Sequence, residues 1–357
     1  MHTVIHTVQE RAEVGKSVKR CTRCVLPETF PGIQFDEEGV CQYCRRTPPP
    51  ERLAAQRARL RTRFETLVQQ IRARPGYHAL MGWSGGKDST YTLWLLKERY
   101  GLRVLAFTFD NGFVSPAAFK NMRVVSENLR IAHVIVKPPF DMLRRIFLAS
   151  IQSDLYPLRA LERASGICNA CMSLAKGIGL RIALTRSIPL VVYGWSPGQV
   201  PLASALFRTN RSMLEAFLQT AKAPLEEVVG EQAHPYFPSD RLLEGAGSLP
   251  YFVSPLAFLE YDEEEMLRSI RRLGWESPRD TDPNSTNCLL NGFACQVHQQ
   301  KMGFHPYVME LAGLVREGYM SREEALARLE EEPAPEVIAA VSVKLGSIPS
   351  PGRGSVG

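Results

Sequence analysis

The residues best suited to chemistry are the segment Gly-Trp-Ser-Gly-Gly-Lys-Asp-Ser-Thr at positions 82–90. An apolar run, Tyr77–Met81, precedes it and a helical pattern, Tyr91–Glu98, follows it, so the segment is predicted to join a strand to a helix. At such a turn, backbone N–H groups and the positive end of the helix dipole point at one place, and glycines let an anion approach. The sequence therefore predicts a phosphate-binding loop.

The side chains of this loop have distinct predicted roles. Lys87 is expected to bind phosphate, and Asp88 either orients the loop or approaches a bound metal ion. The remaining candidates for nucleotide contacts are Ser84, Gly85, Gly86, Ser89 and Thr90. The segment is not a Walker A loop, because Asp88 stands where Ser or Thr should follow the lysine and Met81 where the first glycine should be. A plain glycine-rich turn is the alternative without function.

The string Ser-Gly-Gly-Lys-Asp-Ser at 84–89 resembles the PP-loop of the ATP pyrophosphatase (adenine nucleotide alpha hydrolase-like) superfamily. The resemblance implies that ATP is bound here with Mg²⁺, that a substrate oxygen attacks the α-phosphorus, and that a nucleophile then displaces AMP. It also implies that Asp110, Asn111 and Gly112 contact the adenosine. Gly194 is a further candidate for nucleotide binding. It opens the loop that corresponds to the superfamily's Gly-His/Asn-x-x-Asp segment, but this loop has no acidic residue, so no metal-binding role is carried over to it.

The first four cysteines form two Cys-x-x-Cys pairs, with sixteen residues between the pairs: Cys21, Cys24, Cys41 and Cys44. In a reducing compartment this spacing predicts a four-thiolate zinc site in a short ribbon that is too small to fold without metal. Redox-active dithiols are the competing interpretation. Several arginines lie near the thiolates, where they could balance the negative charge of the site or contact nucleic acid.

The other four cysteines are Cys168, Cys171, Cys288 and Cys295. A PP-loop followed by Cys-x-x-Cys before a helix, and then by a distant cysteine, resembles the iron–sulfur-dependent tRNA 2-thiolation enzymes. The resemblance implies a [4Fe–4S] cluster held by Cys168, Cys171 and either Cys288 or Cys295. Three thiolates leave one iron open to bind an exogenous sulfur. A second, closed zinc site and buried inert thiols are the alternatives.

A second resemblance covers both ends of the chain. Cys-x-x-Cys-Val-Leu-Pro at 21–27, Leu273-Gly-Trp, His305-Pro-Tyr and the segment 316–326 resemble the N-acetyl sugar amidotransferases. That family uses ATP and ammonia from a glutaminase partner to convert an acetamido into an acetamidino group. The Cys168–Cys171 pair is not needed for that chemistry, so the sequence favours sulfur transfer over ammonia transfer.

The elements that must position these residues alternate between short apolar strands and helices, which predicts an α/β fold with a parallel sheet covered by helices on both faces. The predicted strands are Tyr77–Met81, Val104–Phe109, His133–Val136 and Leu190–Tyr193. The predicted organisation is a zinc ribbon at 1–50, a basic linker helix at 51–76, the PP-loop domain at 77–200, a helical substrate and C-terminal region at 201–340 and a disordered tail at 341–357.

Composition sets the remaining expectations. The chain has 357 residues, 45% of them apolar, which is enough for one main domain with appendages. We expect a cytoplasmic protein without a membrane span or signal peptide. The net charge of +6 permits a tRNA or a nucleotide sugar as substrate, and a sulfur donor or an ammonia-supplying glutaminase is the expected partner. A homodimer is the expected assembly, and a non-catalytic RNA- or protein-binding module is the alternative to an enzyme.

Overall fold

The computed structural model describes residues 18–279, 281 and 285–346. Its centre is a sheet of six strands, which stand in the order β3-β2-β1-β4-β6-β5. All neighbouring strands are parallel except β5, which is antiparallel to β6. The strands are β1 Ala79–Gly82, β2 Val104–Phe109, β3 Ala132–Val136, β4 Leu190–Tyr193, β5 Leu206–Arg208 and β6 Tyr251–Val253. The predicted α/β class is confirmed.

Four of the six strands were predicted from the sequence, and two of these, β2 and β4, have the predicted bounds. Strands β5 and β6 were missed. Each has three residues, and they lie beyond residue 200 in a region that we expected to be helical. Three-residue strands are too short to show an alternating pattern, and here they are formed by pairing with each other and with β4.

The described residues form fifteen α-helices, which lie before, between and after the strands in the sequence. They are α1 Gln42–Arg46, α2 Pro50–Arg72, α3 Lys87–Trp94, α4 Pro116–Leu129, α5 Phe140–Gln152, α6 Leu158–Leu161, α7 Gly166–Thr185, α8 Arg211–Ala221, α9 Ala223–Val229, α10 Asp240–Glu244, α11 Glu263–Arg271, α12 Leu290–Met302, α13 Val308–Arg316, α14 Arg322–Glu330 and α15 Pro335–Leu345. Helix α3 continues into one π-helical turn, Leu95–Arg99.

The two faces of the central strand β1 are buried against different helices. Met81 belongs to a core that includes Phe64 of α2 and Met122 of α4, whereas Leu80 packs with Ile178 of α7 on the opposite face. Burial on both faces explains why β1, β2 and β4 are continuous apolar runs, which made them predictable. The predicted basic helix after the ribbon is α2, and Phe64 lies on its buried stripe.

The N-terminal ribbon packs on helices from the other end of the chain. Phe30 of the ribbon lies 5.1 Å, between ring centroids, from Phe304, and both belong to one apolar cluster with Val308 and Leu311 of α13. Thr29 Oγ1 donates a 2.8 Å hydrogen bond to the carbonyl of Gly303. The ribbon therefore shares its core with α13 and α14.

The C-terminal boundary differs from the prediction. We predicted a disordered tail from residue 341, but α15 continues to Leu345, and its Val341 and Leu345 are buried in the core around α5 and α12. The glycines and prolines that suggested disorder begin only after this helix. Residues 347–357, like residues 1–17 of the predicted ribbon segment, lie outside the described part of the chain.

Candidate active site

The order of the strands places the site. Strands β2 and β3 lie on one side of β1, and β4 lies on the other, so the direction of the chain connections reverses between β1 and β4. Ligands of open parallel sheets bind at the carboxyl ends of the strands where this reversal occurs. The loop after β1 is the predicted phosphate loop, and the loop after β4 begins at Gly194.

The phosphate loop is held in shape by its own serines. Ser84 Oγ and Ser89 Oγ lie 3.0 Å apart, and Gly86 donates its backbone N–H to Ser84 Oγ at 3.3 Å. Gly85 has a φ of +80°, and a Cβ there would lie 2.7 Å from the terminal methyl carbon of Met122. A side chain at position 85 would therefore need both a strained backbone and space that is already filled.

Two other glycines keep neighbouring loops in close contact. A Cβ at Gly194 would lie 2.5 Å from the Cα of Ser89, so the loop after β4 rests directly on the start of α3. Gly112 has a φ of +82° and lies against the ring of Phe140. These two positions tolerate no side chain without moving the phosphate loop or the loop after β2.

Lys87 is the first residue of α3, and its ammonium group lies among carboxylates. Nζ is 2.8 Å from Glu263 Oε1 and 3.9 Å from Asp88 Oδ1. Glu263 begins α11 and is also paired with Arg328, at 3.6 Å. Sequence reasoning missed Glu263, because its acidic neighbours in the first turn indicated only helix capping. The backbone N–H of Lys87 donates to Thr286 Oγ1 at 3.1 Å.

Asp88 is partly buried. Burial raises its pKa above the usual carboxyl value, the adjacent Lys87 opposes this shift, and Glu263 adds to it. The Tyr261 hydroxyl lies 3.5 Å from Asp88 Oδ1, on the side of the C-terminal extension. Asp88 is thus placed to orient the phosphate loop through Lys87 and Tyr261.

The second predicted nucleotide element is a turn stabilised by its own side chains. Asp110 Oδ1 accepts the backbone N–H of Gly112 at 2.8 Å, and Asn111 Oδ1 accepts that of Phe113 at 2.9 Å. Asn111 also turns its amide toward two cysteines, with Nδ2 at 3.6 Å from Cys171 Sγ and 3.5 Å from Cys288 Sγ. The turn therefore connects the nucleotide loops to the central cysteines.

A cleft of about 330 Å³ unites these groups. Its wall includes Ser84 and Ser89 of the phosphate loop and the turn residue Asn111. Three central cysteines line the same cleft: Cys168, Cys171 and Cys288. The structure thus brings the predicted phosphate loop and three predicted metal ligands to one space.

Cys288 and Cys295 occupy different positions. Cys288 lines the cleft, whereas Cys295 is buried on α12 and accepts a hydrogen bond from Asn291 Nδ2 at 3.7 Å. Asn291 Oδ1 also accepts the Tyr307 hydroxyl at 3.0 Å. Burial, and then the neighbouring Cys288 and Cys168, raise the pKa of the Cys171 thiol well above its usual value.

The predicted ribbon cysteines lie together. Cys21 Sγ and Cys44 Sγ are 3.7 Å apart, as are Cys24 Sγ and Cys41 Sγ. A tetrahedral zinc site with Zn–S bonds of about 2.3 Å requires sulfurs about 3.8 Å apart, so the four thiols fit such an ion. The four ribbon sulfurs all lie within 4.8 Å of one another, and no other group of three or more cysteines among the described residues is packed as closely.

The two C-terminal motifs that carried the amidotransferase resemblance also reach the site. Trp275 Nε1 donates to the carbonyl of Gly85 at 3.0 Å, and Tyr307 lines the cleft. No acidic residue was predicted for the loop after β4, but the structure brings Glu310 of α13 to it. Ser196 Oγ donates to Glu310 Oε1 at 2.7 Å, and Gln199 Nε2 donates to Oε2 at 2.9 Å.

No family model matches the sequence. A curated relative, an uncharacterized protein of Methanocaldococcus jannaschii, is 24% identical over 324 residues, which are 89% of this chain and 96% of the relative.

Three solved structures are similar. A U34-tRNA thiolase from Methanococcus maripaludis with its [4Fe–4S] cluster has 16% identity and a TM-score of 0.34, and the match covers 89% of this chain and 91% of that one. An NH₃-dependent NAD synthetase from Campylobacter jejuni has 12% identity and a TM-score of 0.34, with 85% and 99% covered. An NMN synthetase from Francisella tularensis has 15% identity and a TM-score of 0.35, with 86% and 100% covered.

The thiolase and the NH₃-dependent synthetase correspond to the two chemistries that the sequence motifs predict, sulfur transfer and ammonia transfer. At these TM-scores the likenesses carry no argument for either one.

Helix α7 has the length and apolar composition of a membrane span. In the most apolar window of this helix, 56% of the residues are buried inside the fold. It packs beneath the sheet and carries Cys168 and Cys171 at its start. The helix therefore has the position expected of a core helix.

Proposed function

We propose that the protein is a cytoplasmic ATP-dependent enzyme that adenylates a substrate oxygen, releases pyrophosphate and replaces the oxygen with sulfur. The observation that carries the proposal is the shared cleft, in which Ser84 and Ser89 of the phosphate loop face Cys168, Cys171 and Cys288. An anion-binding loop beside three thiols is the arrangement that adenylation followed by sulfur delivery requires. The acceptor that fits the basic chain is a tRNA base.

The first step uses the phosphate loop. Backbone N–H groups at Gly85 and Gly86, together with the Lys87 ammonium, would bind the β- and γ-phosphates and stabilise the charge that develops on departing pyrophosphate. Magnesium, bound with the nucleotide, would supply further charge stabilisation. Asp88 and Glu263 would keep Lys87 positioned, since both carboxylates lie within 4 Å of its Nζ.

The second step uses the cysteine side of the cleft. Cys168, Cys171 and Cys288 would hold a [4Fe–4S] cluster, whose open iron supplies a site for exogenous sulfur. We assign Cys288 rather than Cys295 as the third ligand, because Cys295 does not line the cleft. The Asn111 amide, 3.5 Å from Cys288 Sγ, would donate to a ligating thiolate and stabilise its charge.

A matched pair of variants tests this assignment. Protein purified anaerobically should be brown and contain about four irons in addition to one zinc, the latter bound by Cys21, Cys24, Cys41 and Cys44. Cys288→Ser should lose the iron absorbance, whereas Cys295→Ser should keep it. With total tRNA, ATP and sulfide, the wild-type enzyme should form AMP, pyrophosphate and thiolated tRNA. Colourless protein in which Cys288→Ser retains full activity would contradict the proposal.

One observation favours a second candidate. Two motifs that carry the amidotransferase resemblance reach the site: Trp275 Nε1 donates to the carbonyl of Gly85 at 3.0 Å, and Tyr307 lines the cleft. The candidate is an N-acetyl sugar amidotransferase that receives ammonia from a glutaminase partner. Its test is ATP-dependent incorporation of ¹⁵N-ammonium into a UDP-linked N-acetyl sugar, with Cys171→Ala expected to leave that activity intact.

A further inference from the structure

A second cavity of about 280 Å³ adjoins the cleft. The two spaces share part of their walls. The shared lining residues are Cys168, Met172, Lys176, Trp195 and Tyr307. Because both spaces border the same side chains, a group bound in the second cavity would lie next to the cysteine side of the cleft.

Glu310 supplies a carboxylate to this second cavity. Of the described residues that line either space, Glu310 is the only one with a carboxyl group. Both of its oxygens are oriented by the loop after β4, through Ser196 Oγ at 2.7 Å and Gln199 Nε2 at 2.9 Å. The close packing of Gly198 under the backbone carbonyl of Glu310 keeps this loop and α13 together.

The second step of the proposed reaction needs a proton acceptor. The incoming nucleophile carries an S–H or N–H bond; as its lone pair forms the new bond to carbon, the bond from carbon to the adenylate oxygen breaks and AMP leaves with that electron pair. We propose that the Glu310 carboxylate accepts the proton that the nucleophile loses in this step. The inference rests on the proposed adenylation, and it holds for either nucleophile.

The surroundings of Glu310 suit this task. Burial raises its pKa to about 7, the hydrogen bonds from Ser196 and Gln199 oppose the rise, Asp88 adds to it and Lys87 opposes it. A general base works best when its pKa lies near the working pH. Lys176 and Arg163 also line the cavity, and Lys176 Nζ lies 4.8 Å from the centroid of the Trp195 ring. The charge of Glu310 also contributes, after burial, Asp88 and Glu263, to the raised pKa of Tyr261.

The protonation state of Glu310 should control the rate at which AMP is displaced. The carboxylate must be deprotonated to accept a proton, so the rate of AMP displacement should rise with pH through about 7 and then level off. Glu310→Gln should remove this rise of the rate with pH and slow the displacement by roughly 10²- to 10⁴-fold, the usual effect of a general base. Release of pyrophosphate in a single turnover should stay unchanged, because that step uses the phosphate loop.

Ser196→Ala separates a proton acceptor from a merely structural residue. Loss of the Ser196 hydrogen bond should raise the pKa of Glu310. The rise of the rate should therefore move to higher pH, while the rate on the plateau is retained. Glu323→Gln, an exposed change on α14, should match the wild type. The assay uses total tRNA with sodium sulfide and a UDP-linked N-acetyl sugar with ammonium. Rates are divided by the concentration of hydrosulfide or free ammonia present at each pH, so that the ionisation of the nucleophile adds no pH dependence of its own. A rise of the rate with pH that persists unchanged in Glu310→Gln would overturn the proposal.

An infrared titration needs no substrate. The difference between the wild type and Glu310→Gln should show a carboxyl group that deprotonates at about pH 7. A midpoint at the ordinary glutamate value of about 4.3 would overturn the role of Glu310 whether or not the enzyme turns over. A midpoint at about 7 in a protein that releases no pyrophosphate with either acceptor would contradict the proposed function and still support the protonation on which the role of Glu310 depends.

Discussion

At the scale of single residues, the phosphate loop depends on one charged side chain and on two glycines that have no room for a side chain. Lys87 supplies the charge, and its Nζ lies between Glu263 and Asp88. Gly85 packs against Met122, and Gly194 packs against the backbone of Ser89. The motif around Lys87 could be predicted from sequence, because its residues are contiguous. Glu263 and Glu310 could not, because they reach the site from distant helices.

Lys87→Ala should reduce ATP turnover about a hundredfold, since a preorganised group that stabilises developing charge contributes roughly 3 kcal/mol to such a step. The measurement is pyrophosphate release under saturating acceptor. Lys120→Ala, which removes only the exposed pair with Glu276, is the control and should leave the rate unchanged. Equal turnover in the two variants would show that Lys87 does not bind the departing phosphate.

Gly194→Ala should disable the enzyme for a steric reason. The added methyl group would lie 2.5 Å from the Cα of Ser89, so the loop after β4 and the start of α3 would have to separate. Isothermal titration with ATP should show weakened binding. Gly247→Ala is the matched control, because a Cβ there has no neighbour within 4 Å. Wild-type affinity in Gly194→Ala would mean that the contact does not position the phosphate loop.

At the scale of elements, helix α7 connects the sheet to the central cysteines. Ser165 caps its start by accepting the backbone N–H of Cys168 at 3.1 Å, so the cap fixes the first turn in which Cys168 lies. Helix α7 and strands β1, β2, β3 and β4 were predictable, because each carries an apolar run in its own sequence. Strands β5 and β6 were not, since three residues gain their structure only from the strands beside them.

Ser165→Ala should lower the free energy of unfolding by about 1 kcal/mol, the typical value of an N-cap, and should also weaken iron binding at Cys168. Urea denaturation measures the first effect and iron content the second. Ser321→Ala removes the cap of α14, which bonds the N–H of Glu324, and should cost similar stability without loss of iron. Equal iron content in both variants would argue against Cys168 as a ligand.

At the scale of the whole molecule, the ribbon and the active site are joined through the C-terminal helices. Arg322 donates to the carbonyls of Cys21 and Cys24, and α14 also carries Arg328, which pairs with Glu263 beside Lys87. The ribbon's metal-ligand pattern could be predicted from local spacing. Its docking on α13 and α14 could not, because nothing in residues 21–44 specifies a partner about 280 residues away.

If Cys21, Cys24, Cys41 and Cys44 hold zinc as proposed, its removal with a chelator should loosen α13 and α14 as well as the ribbon. Hydrogen exchange should rise in residues 304–330 and stay low in the central strands β1 and β4. Cys44→Ser should reproduce the change without chelator. Exchange confined to residues 20–46 after zinc loss would show that the C-terminal helices hold their positions independently of the ribbon.

The pairing of Thr29 with Gly303 spans 274 positions of the chain, and this has a consequence for synthesis. At about 5 to 20 residues per second, a ribosome needs roughly 14 to 55 s to make that stretch. For all of that time, the nascent ribbon carries an apolar face whose covering helices do not yet exist. A message truncated before codon 304 would release a chain with that face permanently bare, which makes premature termination, more than point substitution, the event that should recruit chaperones to this protein.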